Sequence, residues 1–289
     1  MTAPERLAAL DAALAVLACP VCLASFTREG TALACASGHA FDVARQGYAA
    51  LATGATVPGD TAPMVRDRVA FLAGGHYAAV STAVAEAVPA GVRWVADLAS
   101  GPGTYLAAVL DARPEARGIA IDVSSAAARA AAGVHPRAAA ATADLRRRVP
   151  LAGGGVDAAL VVFGPRDGAE LDRVLAPGGA VVVVVPEPEH LEQLRAPFGT
   201  LGVAPDKERR LAERMAPLRL EDQRVVRETR LLPPEDVARA VLMGPSGHHL
   251  DAERVRAEAA GLGPLEVTVA VRVSRFRRAA VGAPSAAPA

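Results

Sequence analysis

Three things are scarce in this sequence: cysteine, net charge and long apolar runs. The only cysteines, Cys19, Cys22 and Cys35, are an odd number and lie close together, which is a poor framework for disulfides. They fit metal ligation in a reducing cytosol better than a disulfide-stapled scaffold. No apolar run approaches the roughly 20 residues of a membrane-spanning helix. We therefore expect a cytoplasmic protein with no membrane partner.

A charge excess of either sign is also missing. The 31 Lys and Arg residues are balanced by 31 Asp and Glu residues, whereas nucleic-acid-binding proteins often carry a basic excess. This balance counts against a nucleic-acid partner unless a local patch compensates for it. One candidate patch contains Arg272, Arg275, Arg277 and Arg278. The alternative is a solvated final strand.

The segment before Cys19 allows two interpretations. Residues 16–19 resemble a bacterial lipoprotein cleavage site. However, Glu5 and Asp11 interrupt the preceding stretch, which a secretory leader would keep free of charge. We favour a short helix over residues 4–17 that packs on the domain behind it.

From residue 92 onward, apolar strands alternate with helices. A hydrophobic fraction of 52% is enough for a sizeable core. Strands are predicted at 92–98, 118–123, 156–163 and 180–185, with a closing strand at about 265–276, and helices at 105–113, 124–132 and 170–175. Near-continuous apolar strands between helices indicate a parallel sheet covered on both faces. The predicted fold class is therefore α/β, with a Rossmann-like domain.

The chain divides into three predicted parts. Residues 1–56 hold an N-terminal helix and a small β module that contains every cysteine. Residues 57–282 form the α/β domain. The Ala/Pro-rich tail, 283–289, is predicted to be disordered.

The cysteines and one histidine have the spacing of a zinc site. Two residues separate Cys19 from Cys22, twelve follow before Cys35, and three more precede His39. Zinc prefers four tetrahedral sulfur or nitrogen ligands, and two such pairs on facing turns close a site. With four protein ligands the ion would be structural, and it would supply stability that so small a segment lacks. The alternative is three buried cysteines and an unrelated histidine.

A second candidate site follows the first strand of the predicted sheet. Asp97 ends this strand, which runs into a loop with Gly101 and Gly103 and then into a helix. Such a loop lets the backbone approach a ligand at the carboxyl end of a strand. Asp122 ends the next strand, where a carboxylate accepts hydrogen bonds from two ribose hydroxyls. These residues indicate a site for an adenosine cofactor.

Two classes of adenosine cofactor compete for that site. A dinucleotide needs Gly-x-Gly-x-x-Gly, but Leu106 occupies the third glycine position and Pro102 separates the first two. S-adenosylmethionine carries an amino acid whose ammonium group suits a carboxylate such as Asp97. We therefore favour S-adenosylmethionine over NAD. Asp144, farther along, either faces the adenine amino group or caps a helix.

Motifs along most of the chain resemble the bacterial 23S rRNA guanine-N1 methyltransferases, including members that confer resistance to tylosin-type macrolides. In chain order the motifs are Cys19-Pro20-Val21-Cys22, Gly38-His39-Ala40-Phe41-Asp42, Arg45-Gln46-Gly47-Tyr48, Pro58-Gly59-Asp60, Arg66-x-Arg68-x-x-Phe71-Leu72, Gly75-His76-Tyr77, 97–105, Ile121-Asp122-Val123-Ser124, Phe163-Gly164-Pro165-Arg166 and 186–191. The ordered set is far more specific than either half of it alone.

The resemblance implies a zinc-binding RNA-recognition module joined to a Rossmann-like methyltransferase domain, often as a homodimer. It implies methyl transfer to N1 of a guanine in a 23S rRNA hairpin loop (hairpin 35) that lines the peptide exit tunnel. It also implies that Tyr77, Gly103, Thr104 and His190 contact the cofactor. For Tyr77, a plain helix N-terminus packed on the sheet is the alternative.

The chemistry of that reaction leaves several roles open. The target guanine must be unpaired or flipped and must lose its N1 proton, for which His190, Asp144 and water are all candidates. Arg166 follows a predicted strand end and either contacts the base or is a surface arginine. In the cysteine module, Arg28 and Arg45 are candidate phosphate contacts.

The sequence departs from the family at the start of the cofactor loop. The family pattern is Asp-x-Gly-x-Gly, whereas Ala99 stands at the first glycine position and Ser100 follows it. Two alternatives therefore stay open. One is a small-molecule methyltransferase of secondary metabolism. The other is a non-catalytic RNA- or antibiotic-binding protein with a degenerate loop.

Overall fold

A computed structural model of the chain describes residues 1–55, 57–202, 211 and 213–279. Its described helices are α1 (Ala3–Ala13), α2 (Ala62–Ala73), α3 (Ala78–Ala87), α4 (Thr104–Ala112), α5 (Ser125–Ala131), α6 (Gly168–Val174), α7 (Arg195–Phe198), α8 (Pro234–Leu242) and α9 (Ala252–Leu262). Its described strands are β1 (Phe26–Glu29), β2 (Ala32–Cys35), β3 (Ala40–Asp42), β4 (Ala49–Ala50), β5 (Trp94–Leu98), β6 (Arg117–Asp122), β7 (Ala138–Thr142), β8 (Val156–Val162), β9 (Leu175–Pro186), β10 (Arg219–Leu232) and β11 (Leu265–Arg277). The tail predicted at 283–289 lies outside the described residues.

An eight-stranded sheet organises the molecule, in the order β10-β11-β9-β8-β5-β6-β7-β4. Neighbouring strands from β9 to β4 are parallel, and β11 and β10 extend the sheet with antiparallel pairing. This confirms the predicted α/β, Rossmann-like fold. The chain order reverses between β5 and β8, so a crevice is expected outside the carboxyl ends of these strands.

The strands are buried because both faces of the sheet are covered. Successive side chains of a strand point to opposite faces. Val95 accordingly belongs to one apolar core with residues of α3, α4 and α8. Its neighbour Ala96 belongs to a second core, which includes residues of α1 and of β2. The alternation explains why the strand sequences are almost continuously apolar.

The N-terminal segment packs on that second core. Strands β1, β2 and β3 form a small antiparallel sheet, whereas β4 pairs in parallel with β7 at the edge of the large sheet. The predicted N-terminal helix is present and ends at Ala13. Residues 16–19 are buried, and Leu17 bridges to Leu151, so the segment that resembled a lipoprotein signal is part of the core. The domain boundary at residue 56 stays a prediction.

Strand β10 was not predicted, for a physical reason. It is mostly exposed and rich in charged residues, so it lacks the apolar pattern of a buried strand. Its partner β11 holds it through a long antiparallel register. Across that register, Glu221 pairs with Arg275 and Arg277. Of the helices in the described ranges, none combines the length and the apolar character that crossing a bilayer requires.

Candidate functional site

The four predicted metal ligands converge. His39 Nδ1 lies 3.6 Å from Cys19 Sγ and 3.5 Å from Cys35 Sγ, and Cys22 Sγ lies 3.7 Å from Cys35 Sγ. All four ligand atoms are within 4.8 Å of one another. A tetrahedral zinc ion, with bonds of about 2.3 Å to sulfur and 2.0 Å to nitrogen, separates its ligand atoms by roughly 3.5–3.8 Å. The donor set therefore fits a structural zinc ion.

Two tight turns bring these ligands together. In the first turn the Leu23 N–H donates to the Cys19 carbonyl, and in the second the Gly38 N–H donates to the Cys35 carbonyl. A side-chain hydrogen bond from Ser37 lowers the pKa of Cys22 to about 6. The lowered pKa favours the thiolate, which is the form that binds a metal.

Asp97 is a buried carboxylate without a hydrogen-bond partner. It is 1% exposed, and neither of its carboxylate oxygens accepts a hydrogen bond within the described residues. Burial, followed by repulsion from Asp122, raises the pKa of Asp97 to about 7, although the nearby Leu106 N–H opposes the shift. An orphaned buried acid is costly and calls for a ligand. An ammonium group is the ligand that would satisfy it.

The loop after Asp97 joins this acid to Asp122. The Gly101 N–H donates to one oxygen of Asp122 at 2.8 Å, and the Ser124 N–H donates to the other at 2.9 Å. Gly103 adopts a left-handed conformation, with φ of +80°, immediately before the first residue of α4, Thr104. The loop thus presents backbone between two carboxylates, which is the cradle expected for an amino acid linked to a nucleoside.

Tyr77 and His190 meet across the site. Tyr77 Oη lies 3.0 Å from His190 Nε2, and the Ala270 N–H donates to His190 Nδ1 at 3.2 Å. Because Nδ1 is an acceptor, a neutral His190 carries its proton on Nε2 and donates to Tyr77. Burial raises the pKa of Tyr77, so its own hydroxyl keeps a proton to donate. Tyr77 immediately precedes α3, as the packing interpretation expects, and its contact with the cofactor stays a prediction.

Sequence reasoning gave no role to Arg68, which lies beside the loop. Its Nη2 donates at 2.6 Å to Asp60 and at 2.6 Å to the Met243 carbonyl. A β-carbon built on Gly101 would lie 3.4 Å from Arg68 Cδ, so the arginine side chain runs over the glycine. Its charge opposes the burial-raised pKa values of Tyr77, Tyr105 and Asp122. The only sequence signal was its place in the Arg66-x-Arg68 motif.

Phe163 and Arg166 follow β8 at the same edge of the sheet. Phe163 is left-handed, with φ of +57°, and its ring contacts those of His190 and Tyr77. Arg166 is half-buried and donates from Nη1 to the Gly164 carbonyl, while its Nε is buried without a hydrogen-bond partner. Arg166 is thus not a fully exposed surface arginine, and contact with a base, the other interpretation, stays a prediction.

Asp144 has a competing partner. Both of its oxygens accept hydrogen bonds from the Arg146 side chain, and one also accepts from the Arg146 N–H. The side-chain hydrogen bond from Arg146 lowers the pKa of Asp144 to about 2. A carboxylate held this firmly in its ionised form is a poor proton acceptor.

The candidate basic patch near the C-terminus is neutralised. Each of its four arginines pairs with a carboxylate: Arg272 with Glu187, Arg275 and Arg277 with Glu221, and Arg278 with Asp172. The solvated, ion-paired strand is therefore the better description. In the small module, Arg28 is paired with Asp11, and Phe41 packs edge-on against Phe26.

Comparison with known families and curated proteins agrees with this geometry. The N-terminal zinc ribbon of the RlmA family matches residues 17–52. A 23S rRNA (guanine-N(1)-)-methyltransferase of Micromonospora griseorubida is 44% identical over 285 residues, which covers 90% of this chain and 97% of that protein. The 23S rRNA (guanine(748)-N(1))-methyltransferase of Streptomyces fradiae is 41% identical, covering 88% of this chain and 94% of its own.

Solved structures with similar folds include the following two. The methyltransferase bound to the Trm112 activator of Haloferax volcanii aligns with 78% of this chain and all of its own, at 18% identity and a TM-score of 0.51. The YcgJ protein of Bacillus subtilis covers 71% of this chain and 99% of its own, at 15% identity and a TM-score of 0.50. These two support the fold alone. On the strength of the two curated relatives, the chain belongs to the family of 23S rRNA (guanine-N1) methyltransferases.

Proposed function

We propose that this protein transfers a methyl group from S-adenosylmethionine to N1 of a guanine in a hairpin loop of 23S rRNA (hairpin 35), near the peptide exit tunnel. The observation that carries the proposal is the buried, unpartnered Asp97 beside a glycine bend that is tied to Asp122. The named substrate of both curated relatives supports the choice of base and of RNA.

The polar groups around the bend match the parts of the cofactor. Asp97 would pair with the ammonium group of its amino acid, and Arg68 with the carboxylate. Each oxygen of Asp122 accepts one hydrogen bond from the backbone of the loop or of Ser124, and its remaining lone pair would accept a hydrogen bond from a ribose hydroxyl. Gly103 and Thr104 would border the amino acid at the start of α4, and the Tyr77–His190 pair would close the far side.

The bound cofactor would supply an activated methyl group, and the protein then has to align the acceptor. Guanine N1 gains the methyl as the methyl–sulfur bond breaks, and the N1 proton leaves to an acceptor. Asp144 is unsuited to accept it, because Arg146 holds its pKa low. Both ring nitrogens of His190 already form hydrogen bonds, with the Tyr77 hydroxyl and the Ala270 N–H, so neither is free to accept the proton. Water is therefore our preferred acceptor.

The RNA would reach the pocket along the junction between the zinc module and the large sheet. Three successive exposed residues, Arg146, Arg147 and Arg148, follow β7 at its carboxyl end, and Arg147 donates to the Ala55 carbonyl. Among the described residues neither Arg147 nor Arg148 forms an ion pair within 4.0 Å, although the charge of Arg147 helps to lower the pKa of Asp144. With Arg45 of the module, this short stretch supplies local positive charge in a neutral protein, as phosphate contacts require.

Three further features belong to this proposal. We expect an enzyme that acts on rRNA to be cytoplasmic. A homodimer is expected from the family resemblance. Methylation near the exit tunnel would protect the ribosome against a macrolide, which antibiotic susceptibility of cells with and without the gene measures directly.

Methylation mapping tests the function. A methyl group on guanine N1 blocks Watson–Crick pairing, so reverse transcriptase stops at the modified base. We expect the enzyme and S-adenosylmethionine to create one new stop in a 23S rRNA hairpin transcript, and Asp122→Ala to create none. Calorimetry addresses the alternatives. No cofactor binding would favour the non-catalytic interpretation, and binding without any stop in rRNA would favour a small-molecule substrate.

A further inference from the structure

Phe163 is exposed where an aromatic ring would ordinarily be buried. It is 37% exposed, and it is the only aromatic residue among the exposed large apolar side chains of the described ranges. The chain has ten Phe, Tyr and Trp residues, so this exposure is unusual for it. An exposed aromatic is informative when it lies at a site, because it offers a flat apolar face to a ligand.

The backbone at Phe163 is held in a conformation that residues other than glycine rarely adopt. Four described non-glycine residues have positive φ, and three of them belong to the cofactor loop or lie beside His190: Ala99 at +59°, Phe163 at +57° and Leu191 at +50°. Strained residues persist where the surrounding structure fixes them, and they concentrate at functional sites. The left-handed turn at the end of β8 fixes where the Phe163 ring is placed.

The Phe163 ring contacts His190, and the residue that follows it contacts the cofactor loop. Gly164, the next residue, touches the loop so closely that a β-carbon added there would come within 2.7 Å of the Ala99 methyl. The Phe163 and His190 rings are inclined by 29° with centroids 5.8 Å apart, and the Tyr77 centroid lies 6.2 Å away. The ring thus contacts the Tyr77–His190 pair, and its own backbone segment adjoins the predicted cofactor cradle.

We propose that Phe163 is the platform on which the target guanine stacks during methyl transfer. The inference rests on the proposed function and names the residue that receives the base. Stacking holds a purine by its face and leaves its pairing edge, including N1, free to turn toward the methyl group. Arg166, whose buried Nε lacks a partner, lies three residues away and would face the edge of the base.

Matched substitutions separate stacking from simple packing. Phe163→Tyr keeps an aromatic face. Phe163→Leu keeps a large apolar side chain on the same strained backbone but removes the aromatic face. Because base–aromatic stacking changes binding by roughly 5- to 150-fold, we expect Phe163→Leu to lose about that factor in kcat/KM for a hairpin transcript. Phe163→Tyr should stay within about threefold of the wild type. Calorimetry should give the same affinity for S-adenosylmethionine in all three proteins, which also shows that they fold.

Fluorescence gives a direct readout of the stack. In a Trp94→Phe background, Phe163→Trp places the only tryptophan of the chain on the platform. We expect its emission to be quenched when the hairpin transcript and S-adenosylhomocysteine are added. A transcript that lacks the target guanine should leave the emission unchanged.

The possible failures are distinguishable. If the wild type methylates the hairpin and Phe163→Leu does so equally well, the platform is refuted while the proposed function stands. A parallel loss of cofactor affinity in Phe163→Leu would also overturn it, because the ring would then serve the cofactor. If the wild type itself leaves guanine N1 unmethylated, the proposed function fails, and this inference fails with it.

Discussion

Replacing Asp97 with Asn should stabilise the protein without its cofactor and weaken cofactor binding at the same time. The Asp97 carboxyl is buried and has no hydrogen-bond partner among the described residues. Asn has nearly the same shape but never ionises. The substitution therefore removes the buried charge while it preserves the packing beneath the loop.

The sign and size of the stability effect follow from the pKa of Asp97. Burial raises it from 3.8 to about 7, so between these pH values the unfolded chain releases a proton that the folded chain keeps. Over that interval the free energy of unfolding falls by about 1.4 kcal/mol per pH unit, or about 4 kcal/mol in all. Because Asn does not ionise, the free energy of unfolding of Asp97→Asn does not show this fall with pH. The variant should therefore gain on the wild type by about 3 kcal/mol between pH 5 and pH 8.

Denaturant unfolding of the cofactor-free proteins at several pH values measures that gain. Calorimetry with S-adenosylmethionine measures the accompanying loss of cofactor affinity. Because the variant loses a charged partner for the ammonium group, we expect its affinity to fall by about 10- to 150-fold. Asp122→Asn is the matched control. Burial also raises the pKa of Asp122, but its two oxygens accept from the Gly101 and Ser124 N–H groups, and Asn would lose one of these hydrogen bonds. The control should therefore lose cofactor affinity with a smaller gain in stability than Asp97→Asn.

Two results would refute this reasoning. A stability difference between Asp97→Asn and the wild type that is independent of pH would show that the carboxylate is already ionised in the free protein. Unchanged cofactor affinity would show that the ammonium group binds elsewhere. Wild-type affinity should itself rise from pH 6 to pH 7.5 as Asp97 loses its proton.

Three other substitutions test the zinc site, the loop and the RNA path. Cys22→Ala should reduce zinc from about one ion per chain to a trace by elemental analysis and expose the segment 17–52 to proteolysis; an intact zinc content would contradict the ligand set. Ala99→Gly should stabilise the protein by up to about 1 kcal/mol by relieving its positive φ, seen as a higher Tm, and a lower Tm would show that its methyl group matters more. Arg147→Gln and Arg148→Gln should each reduce the slope of log affinity for the hairpin against log salt by about one without changing cofactor affinity, and an unchanged slope would remove these residues from the RNA path.

The parts of the fold that could be predicted from sequence are those with a strong local signal. The apolar strands β5, β6, β8 and β9 are buried on both faces, so their sequences could hardly indicate anything else. The convergence of Cys19, Cys22, Cys35 and His39 was predictable because tetrahedral coordination constrains the spacing of such residues. The proximity of Asp97 and Asp122 was predictable because parallel strands end at one edge of the sheet.

The remainder depends on contacts between residues distant in sequence. Strand β10 is polar and is defined only by its partner β11, so no window of sequence reveals it. Arg68 gains its place from Asp60 and from the Met243 carbonyl, 175 residues away. The arginines of β11 form a basic patch in the sequence, but the carboxylates that neutralise them come from other elements.

Ala99 shows how the loop tolerates its departure from the family pattern. Its φ of +59° is the conformation for which the family uses glycine, so the backbone keeps the shape although the residue has changed. The added methyl group lies against Gly164, where any side chain would collide with it. The two positions are therefore coupled: a glycine after Phe163 makes room for an alanine after Leu98. Because the loop retains its bend and its hydrogen bond to Asp122, the departure gives no reason to regard the cofactor cradle as degenerate.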